Sequence, residues 1–256
     1  MDLVWDGLKE AIRLLIHNDA DVYEIAWRSV RVSGTATILS LLMGVPVGAV
    51  LAFRRFPGRL AVMSLVNTGM GMPPIVIGLV VALLFWRSGP LGDLNLIYTT
   101  RAMIIAQVVI ATPIIIGFTA ASLAALPPKL RLQVYALGAS RTQMLWLLVR
   151  EVRLPLLAAM MAAFGAAISE VGASIMVGGN LDGETRVLTG AMLLEQSQGD
   201  FGPALAFGII LLALMIAVNA LFTWVQYGLR RDRWQPEAEA ASEHDTLAST
   251  TPWISA

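Results

Sequence analysis

Five stretches of this chain stay apolar for longer than a soluble helix needs, and that limits what it can become. They run Val32 to Phe53, Leu60 to Trp86, Ala102 to Leu126, Leu156 to Gly178 and Pro203 to Tyr227. About 20 apolar residues in a helix cross a hydrocarbon core, and these five windows hold a single charged side chain, Glu170. Backbone amides in lipid must bond within the protein, so only helices and closed barrels span. The short alternating strands of a barrel do not occur. The expected fold class is all-α, a polytopic membrane protein with five transmembrane helices and an N-terminal interfacial helix.

Length and charge narrow the function. The formal net charge of the 256 residues is zero, which gives no reason to expect nucleic acid. Cysteine is absent, so disulfides, thiolate metal sites and cysteine nucleophiles are excluded. His17 and His244 lie outside the apolar windows, and no metal site is expected. No P-loop pattern occurs, so the chain is not itself an ATPase, and no hydrolase signature is present.

Residues 1–24 read as an amphipathic helix in the membrane interface. Trp5, Leu8, Ile12, Leu15 and Ile16 recur at helical spacing with Asp6, Lys9 and Glu10 between them; packing against neighbouring spans explains the pattern equally well. Residues 25–228 form the membrane domain. Residues 229–256 form a tail that turns to Pro, Glu, Ala, Ser and Thr after Trp234, the composition of a disordered segment. Lys and Arg set the orientation. Arg54, Arg55 and Arg59, then Lys129, Arg131, Arg141, Arg150 and Arg153, then Arg230, Arg231 and Arg233 mark three regions as cytoplasmic. Five spans then put the N-terminus outside and the C-terminus inside.

Within the windows, a few residues point to mechanism. The second window contains Asn67-Thr68-Gly69-Met70-Gly71-Met72-Pro73-Pro74, and paired prolines without amide donors predict a kinked or broken helix. Irregular backbone at membrane depth requires protein or a water-filled cavity around it. Thr68 and Gly69 are therefore candidates for a pathway or gate, and a kink that only fits neighbouring helices is the competing reading. In the fourth window Ala158, Ala162, Gly165, Ser169 and Gly172 place small residues on one helical face, the usual seam between membrane helices. That seam either joins helices or lines a path between two copies. Glu170 beside it is an ionisable group within a span. It either holds helices together, with Arg28, Arg31 or Arg101 as partners, or titrates at the centre of an autonomous ion-coupled carrier or channel. The turn-rich loop Gly178 to Arg186 offers Gly179, Asn180, Gly183 and Thr185 as an outer loop that either packs plainly or presents amides to an oxyanion.

Between the third and fourth windows lies a basic insertion, residues 127–155. Lys129 to Leu137 predicts a helix ending near Gly138, and Ala139 to Val152 a second one running toward Leu154-Pro155. Gly138 followed by Ala139-Ser140, with Pro155 beyond, predicts a fixed turn. Here the sequence resembles the permease subunits of type I ABC importers, whose cytoplasmic loop carries Glu-Ala-Ala, three residues, Gly and then an apolar-x-Leu-Pro pattern. Aligning Gly138 and Pro155 places the Glu-Ala-Ala on Leu132-Gln133-Val134, with four extra residues between glycine and proline. The stretches Ser169-Glu170-Val171-Gly172-Ala173 and Gly178 to Thr185 are similar to permeases for molybdate, tungstate and sulfate, and Thr185 to Thr189 looks most like the tungstate branch.

The resemblance, which covers about Trp27 to Tyr227, implies a type I ABC permease fold and a multi-pass protein of a bacterial or archaeal inner membrane. It further implies a homodimer in lipid, served by a separate ABC ATPase that binds ATP and Mg and by an extracytoplasmic solute-binding protein. Leu137, Gly138, Ala139, Ser140, Arg141, Leu154 and Pro155 are the residues expected to couple to the ATPase. The expected cargo is a tetrahedral oxyanion, tungstate first and molybdate or sulfate as alternatives, with no catalytic residue in this chain.

Overall fold

A computed structural model of the chain describes Trp5, Lys9, Arg13 and residues 20–231. Most of the expected interfacial helix and most of the tail lie outside the described residues. Trp5, Lys9 and Arg13 are helical, with the Lys9 ammonium 5.7 Å from the Trp5 ring. Among the described residues there are helices and turns and no strand. The chain divides into two units, residues 1–216 and 217–256. The described part of the second is the continuation of the last helix.

Helix α1 spans Ala20–Phe53 and α4 spans Thr100–Ala124. They pack along their length because glycines on α1 admit the other helix. A Cβ at Gly44 would stand 2.7 Å from Ile115, and one at Gly48 2.7 Å from the Ile116 carbonyl oxygen. In lipid no hydrophobic force draws helices together, so such close fit supplies the association. The contact numbers rise together on both helices, so α1 and α4 run parallel. A chain can return between two parallel helices only by crossing back, and α2 (Arg59–Gly71) and α3 (Pro74–Phe85) do this.

That return is broken rather than continuous. Met72 is extended at φ −69°, ψ 131°, as a residue before proline prefers, and Pro74 opens α3 at the position where a missing amide costs nothing. The expected kink is a near right angle, with α2 and α3 bent by 103°. The fourth window is also not one helix. After α5 (Pro128–Ala136) and α6 (Arg141–Glu151), the chain bends by 67° into α7 (Arg153–Ile168). Residues 169–171 then interrupt it before α8 (Gly172–Gly178). Helix α9 spans Leu188–Gln198 and α10 spans Phe201–Arg231.

Three helices, α1, α4 and α10, are individually long and apolar enough to cross a membrane, and two bent pairs bring the total to as many as five. The sequence-based boundary at residues 24 and 25 falls inside α1, and that at 228 and 229 falls inside α10. Apolar composition marks where lipid lies along a helix, whereas the backbone continues past it into the interface.

The fourth window presents two small-residue faces, only one of which packs within the chain. Ala159, Ala163 and Ala167 are fully buried, with Ala159 and Ala163 packed in a cluster with Ala111 and Ile115 of α4. Ala158, Ala162 and Ser169, the face expected to be the seam, are exposed within this chain. Alanines sit at both sets of positions, so spacing alone did not choose between the two faces.

Candidate functional site

Three places matter: a hairpin at one end of α1 and α4, the helix breaks midway, and a loop at the other end. Arg101 and Leu123 sit near opposite ends of α4, 22 residues apart, which at 1.5 Å per residue is about 33 Å. That is about the thickness of the hydrocarbon core.

The hairpin is α5 and α6. At the end of α5 the Gly138 amide donates to the Tyr135 carbonyl at 2.9 Å and the Ala139 amide to the Val134 carbonyl at 3.3 Å, the two bonds of a Schellman closure. Gly138 has φ +78°, a left-handed conformation that costs an L side chain about 1–2 kcal/mol. Two residues on, Ser140 caps α6 through a reciprocal pair, its Oγ accepting from the Gln143 amide and its own amide donating to Gln143 Oε1 at 2.8 Å. The turn is thus closed by bonds within residues 134–143.

Its surface points outward. Leu137 is 87% exposed, and Leu132, Tyr135 and Trp146 are exposed beside it. Arg141 begins α6 in solvent, and Arg150 covers the Trp146 ring at 5.3 Å. The inner side is anchored, for Leu148 is fully buried in a cluster with Ala49 of α1, Leu123 of α4 and Val152. Arg131 lies 4.1 Å above the Phe53 ring at the end of α1. Leu154 and Pro155 fall in the first turn of α7, where the missing proline amide breaks no helix bond.

Midway, the two breaks lie beside each other. A Cβ on Gly172 would meet Ile75, in the first turn of α3, at 3.4 Å, and one on Gly78 would meet the Ala173 Cα at 2.5 Å. Gly78 and Gly172 therefore let α3 and α8 start side by side. Glu170 serves this junction. Its Oε1 accepts from the Ala173 amide at 2.8 Å and its backbone carbonyl accepts from Thr189 Oγ1 at 3.3 Å. None of Arg28, Arg31 and Arg101, the possible partners considered for it, pairs with it among the described residues. Glu170 caps the helix that follows it. Ser169 turns its hydroxyl back to the Gly165 carbonyl at 2.7 Å. Thr68 is exposed on α2, and Gly69 packs on the Pro113 ring of α4, where a Cβ would lie at 2.9 Å.

At the far end the loop is drawn inward. Thr185 Oγ1 donates to the Gly178 carbonyl at 2.6 Å and accepts from the Leu181 amide at 2.9 Å, while Asn180 Nδ2 donates to the Gly190 carbonyl at 3.0 Å. Gly179 lies against the Tyr98 ring, and Gly183 turns its carbonyl to Arg28 at 2.7 Å. Of the two readings of this loop, these bonds fit plain packing. Arg28, 8% exposed, also bonds the Arg186 carbonyl at 3.0 Å and pairs with Glu24. Ser29 Oγ receives the Leu188 amide at 2.9 Å. Arg28 and Ser29 were missed as loop anchors because their partners are backbone atoms more than 150 residues away.

Comparison with known proteins supplies the family. The chain is 41% identical over 198 residues to a probable anion ABC transporter permease of Haloferax volcanii, covering 75% of this chain and 85% of that one. It is 35% identical to the tungstate uptake system permease TupB of Peptoclostridium acidaminophilum, covering 88% of this chain and 99% of the relative. The fold matches the inward-facing MetNI methionine ABC transporter with a TM-score of 0.62 at 20% identity, over 83% of this chain and 95% of that one. Residues 44–231 match the model of the binding-protein-dependent transport system inner membrane component. A chain whose broken spans, exposed hairpin and last helix fall within that match belongs to this family of transport permeases.

Proposed function

We propose that the chain is the membrane-spanning permease of an ATP-driven importer for a tetrahedral oxyanion, with tungstate as the cargo. The observation that carries this reading is the hairpin. It is rigid by its own hydrogen bonds, apolar at its tip and seated on the ends of α1 and α4. Exposed Leu137 and Trp146 would cost free energy in water unless a partner covered them. A separate ABC ATPase, binding ATP and Mg, docks there through Leu137 to Arg141, and Leu154-Pro155 leads the motion into α7.

Under this reading the hairpin is cytoplasmic, the loop at residues 179–186 receives a solute-binding protein outside, and the N-terminus lies outside with the C-terminus inside. Two copies pair in the membrane, and the outward face of Ala158, Ala162 and Ser169 suits contact between copies or a lining for the path between them. Thr68, Gly69, Gly172 and the break capped by Glu170 form the region where α2, α3 and α8 change packing as the path opens. Relatives named for anion and tungstate transport support the cargo; molybdate and sulfate have the same shape and charge. Reconstitution with the ATPase and binding protein in vesicles tests it. ATP-dependent accumulation of tungstate, competed by molybdate before sulfate, is expected, and accumulation without nucleotide or without the second subunit would select an autonomous carrier instead.

A further inference from the structure

At the loop end, α1, the first turn of α4 and residues Gly183-Glu184 enclose an open pocket of about 340 Å³. At about 30 Å³ per water it has room for an oxyanion and several waters. Three guanidinium groups line it, from Arg28, Arg31 and Arg101, with two carboxylates, Glu24 and Glu184. Glu24 and Arg28 are paired, and two backbone carbonyls fix the Arg28 group further. Arg31 and Arg101 have no carboxylate partner and no hydrogen bond among the described residues. Two arginines against the remaining Glu184 leave the pocket with net positive charge. Arg31 lies one helical turn after Arg28 on the same face of α1. Arg101 comes from the parallel helix α4 at the same end, so the two converge on one opening.

Trp27 and Ile104 supply apolar walls beside the arginines. Guanidinium forks match the spacing of oxygen pairs on tetrahedral anions better than an ammonium does.

We propose that this pocket is an anion-binding vestibule on the permease itself, in which Arg31 and Arg101 hold a tetrahedral oxyanion dianion above the membrane path. The inference rests on the importer reading for the side of the membrane and the anion class. The bound ion stays hydrated on one side and is released easily. Such a site keeps cargo near the path between arrival and passage.

The test measures tungstate binding to the full chain in lipid nanodiscs, without binding protein, by equilibrium dialysis. Saturable binding is expected, at least about tenfold weaker in the Arg31→Gln, Arg101→Gln double variant and weakened by salt. The Arg31→Lys, Arg101→Lys pair keeps the charge and should lose only part of the affinity, which separates ligand loss from misfolding. Equal binding in wild type and the Gln pair, or no saturable binding to wild type, overturns the vestibule. So does a Gln pair that binds tungstate normally but docks the binding protein poorly, since the arginines would then serve a protein carboxylate. Uptake by the complete wild-type system is read separately. Uptake present with no binding to the permease sinks the vestibule alone, and binding present with no oxyanion uptake sinks the importer reading.

Discussion

The hairpin at residues 128–151 and the loop at residues 179–187 are both glycine turns at opposite ends of the same helices, yet their chemistry is opposite. The hairpin completes its hydrogen bonds locally and leaves large apolar side chains in the open. The loop sends its polar groups to distant partners and hides them, with Thr185 at 2% exposure. A positive φ at Gly138, Gly179 and Gly183 is common to both, so the glycine marks a turn and says nothing about its use. What distinguishes an exposed knob from a packed loop is where the neighbouring side chains are satisfied.

The largest test of this contrast is Gly138→Asp. It should abolish ATP-dependent uptake, because a side chain at this positive φ is strained and a charge enters the apolar tip, while the protein still inserts and purifies. Uptake within twofold of wild type would remove the hairpin from the mechanism. Next, Ala159→Leu should cost about 1–3 kcal/mol by overpacking against α4, lowering the thermal midpoint in detergent. Ala158→Leu should leave that midpoint unchanged and lower uptake, and equal loss from both would contradict the two-faced α7.

At the loop end, Arg28→Ala should destabilise by about 2 kcal/mol, since two carbonyls lose a charged donor, and should speed proteolysis within residues 179–187. Thr185→Val should cost about 1 kcal/mol for its two bonds, read in the same cleavage assay. The smallest effect is expected from Glu170→Gln. Its amide oxygen can still accept from Ala173, so uptake should stay within about twofold, whereas a titrating centre would lose transport outright.

Legibility from sequence followed the range of the interaction. Apolar windows marked the three long apolar helices and the two bent pairs among the described residues, Pro73-Pro74 marked the break between α2 and α3, and Gly138 with Ser140 marked the reversal of the hairpin, because each depends on residues within a few positions. The break at residues 169–171 has no proline to announce it. Its cap, Glu170, looked instead like a buried charge in search of an arginine. Which face of α7 packs on α4 was not legible, because Ala158 and Ala159 are chemically identical and only α4 chooses between them. Arg28 was visible as a charge near the outer side, but its clamp on Gly183 and Arg186 is a tertiary fact.

The local closure of the hairpin has a practical meaning. With the Schellman bonds and the capping box all inside residues 134–143, and nothing within 4 Å of where a Cβ on Gly138 would sit, the shape of the reversal owes nothing to the surrounding helices. It is a portable cassette. Grafted between two other antiparallel helical segments that supply a socket for Leu148, it should keep its form.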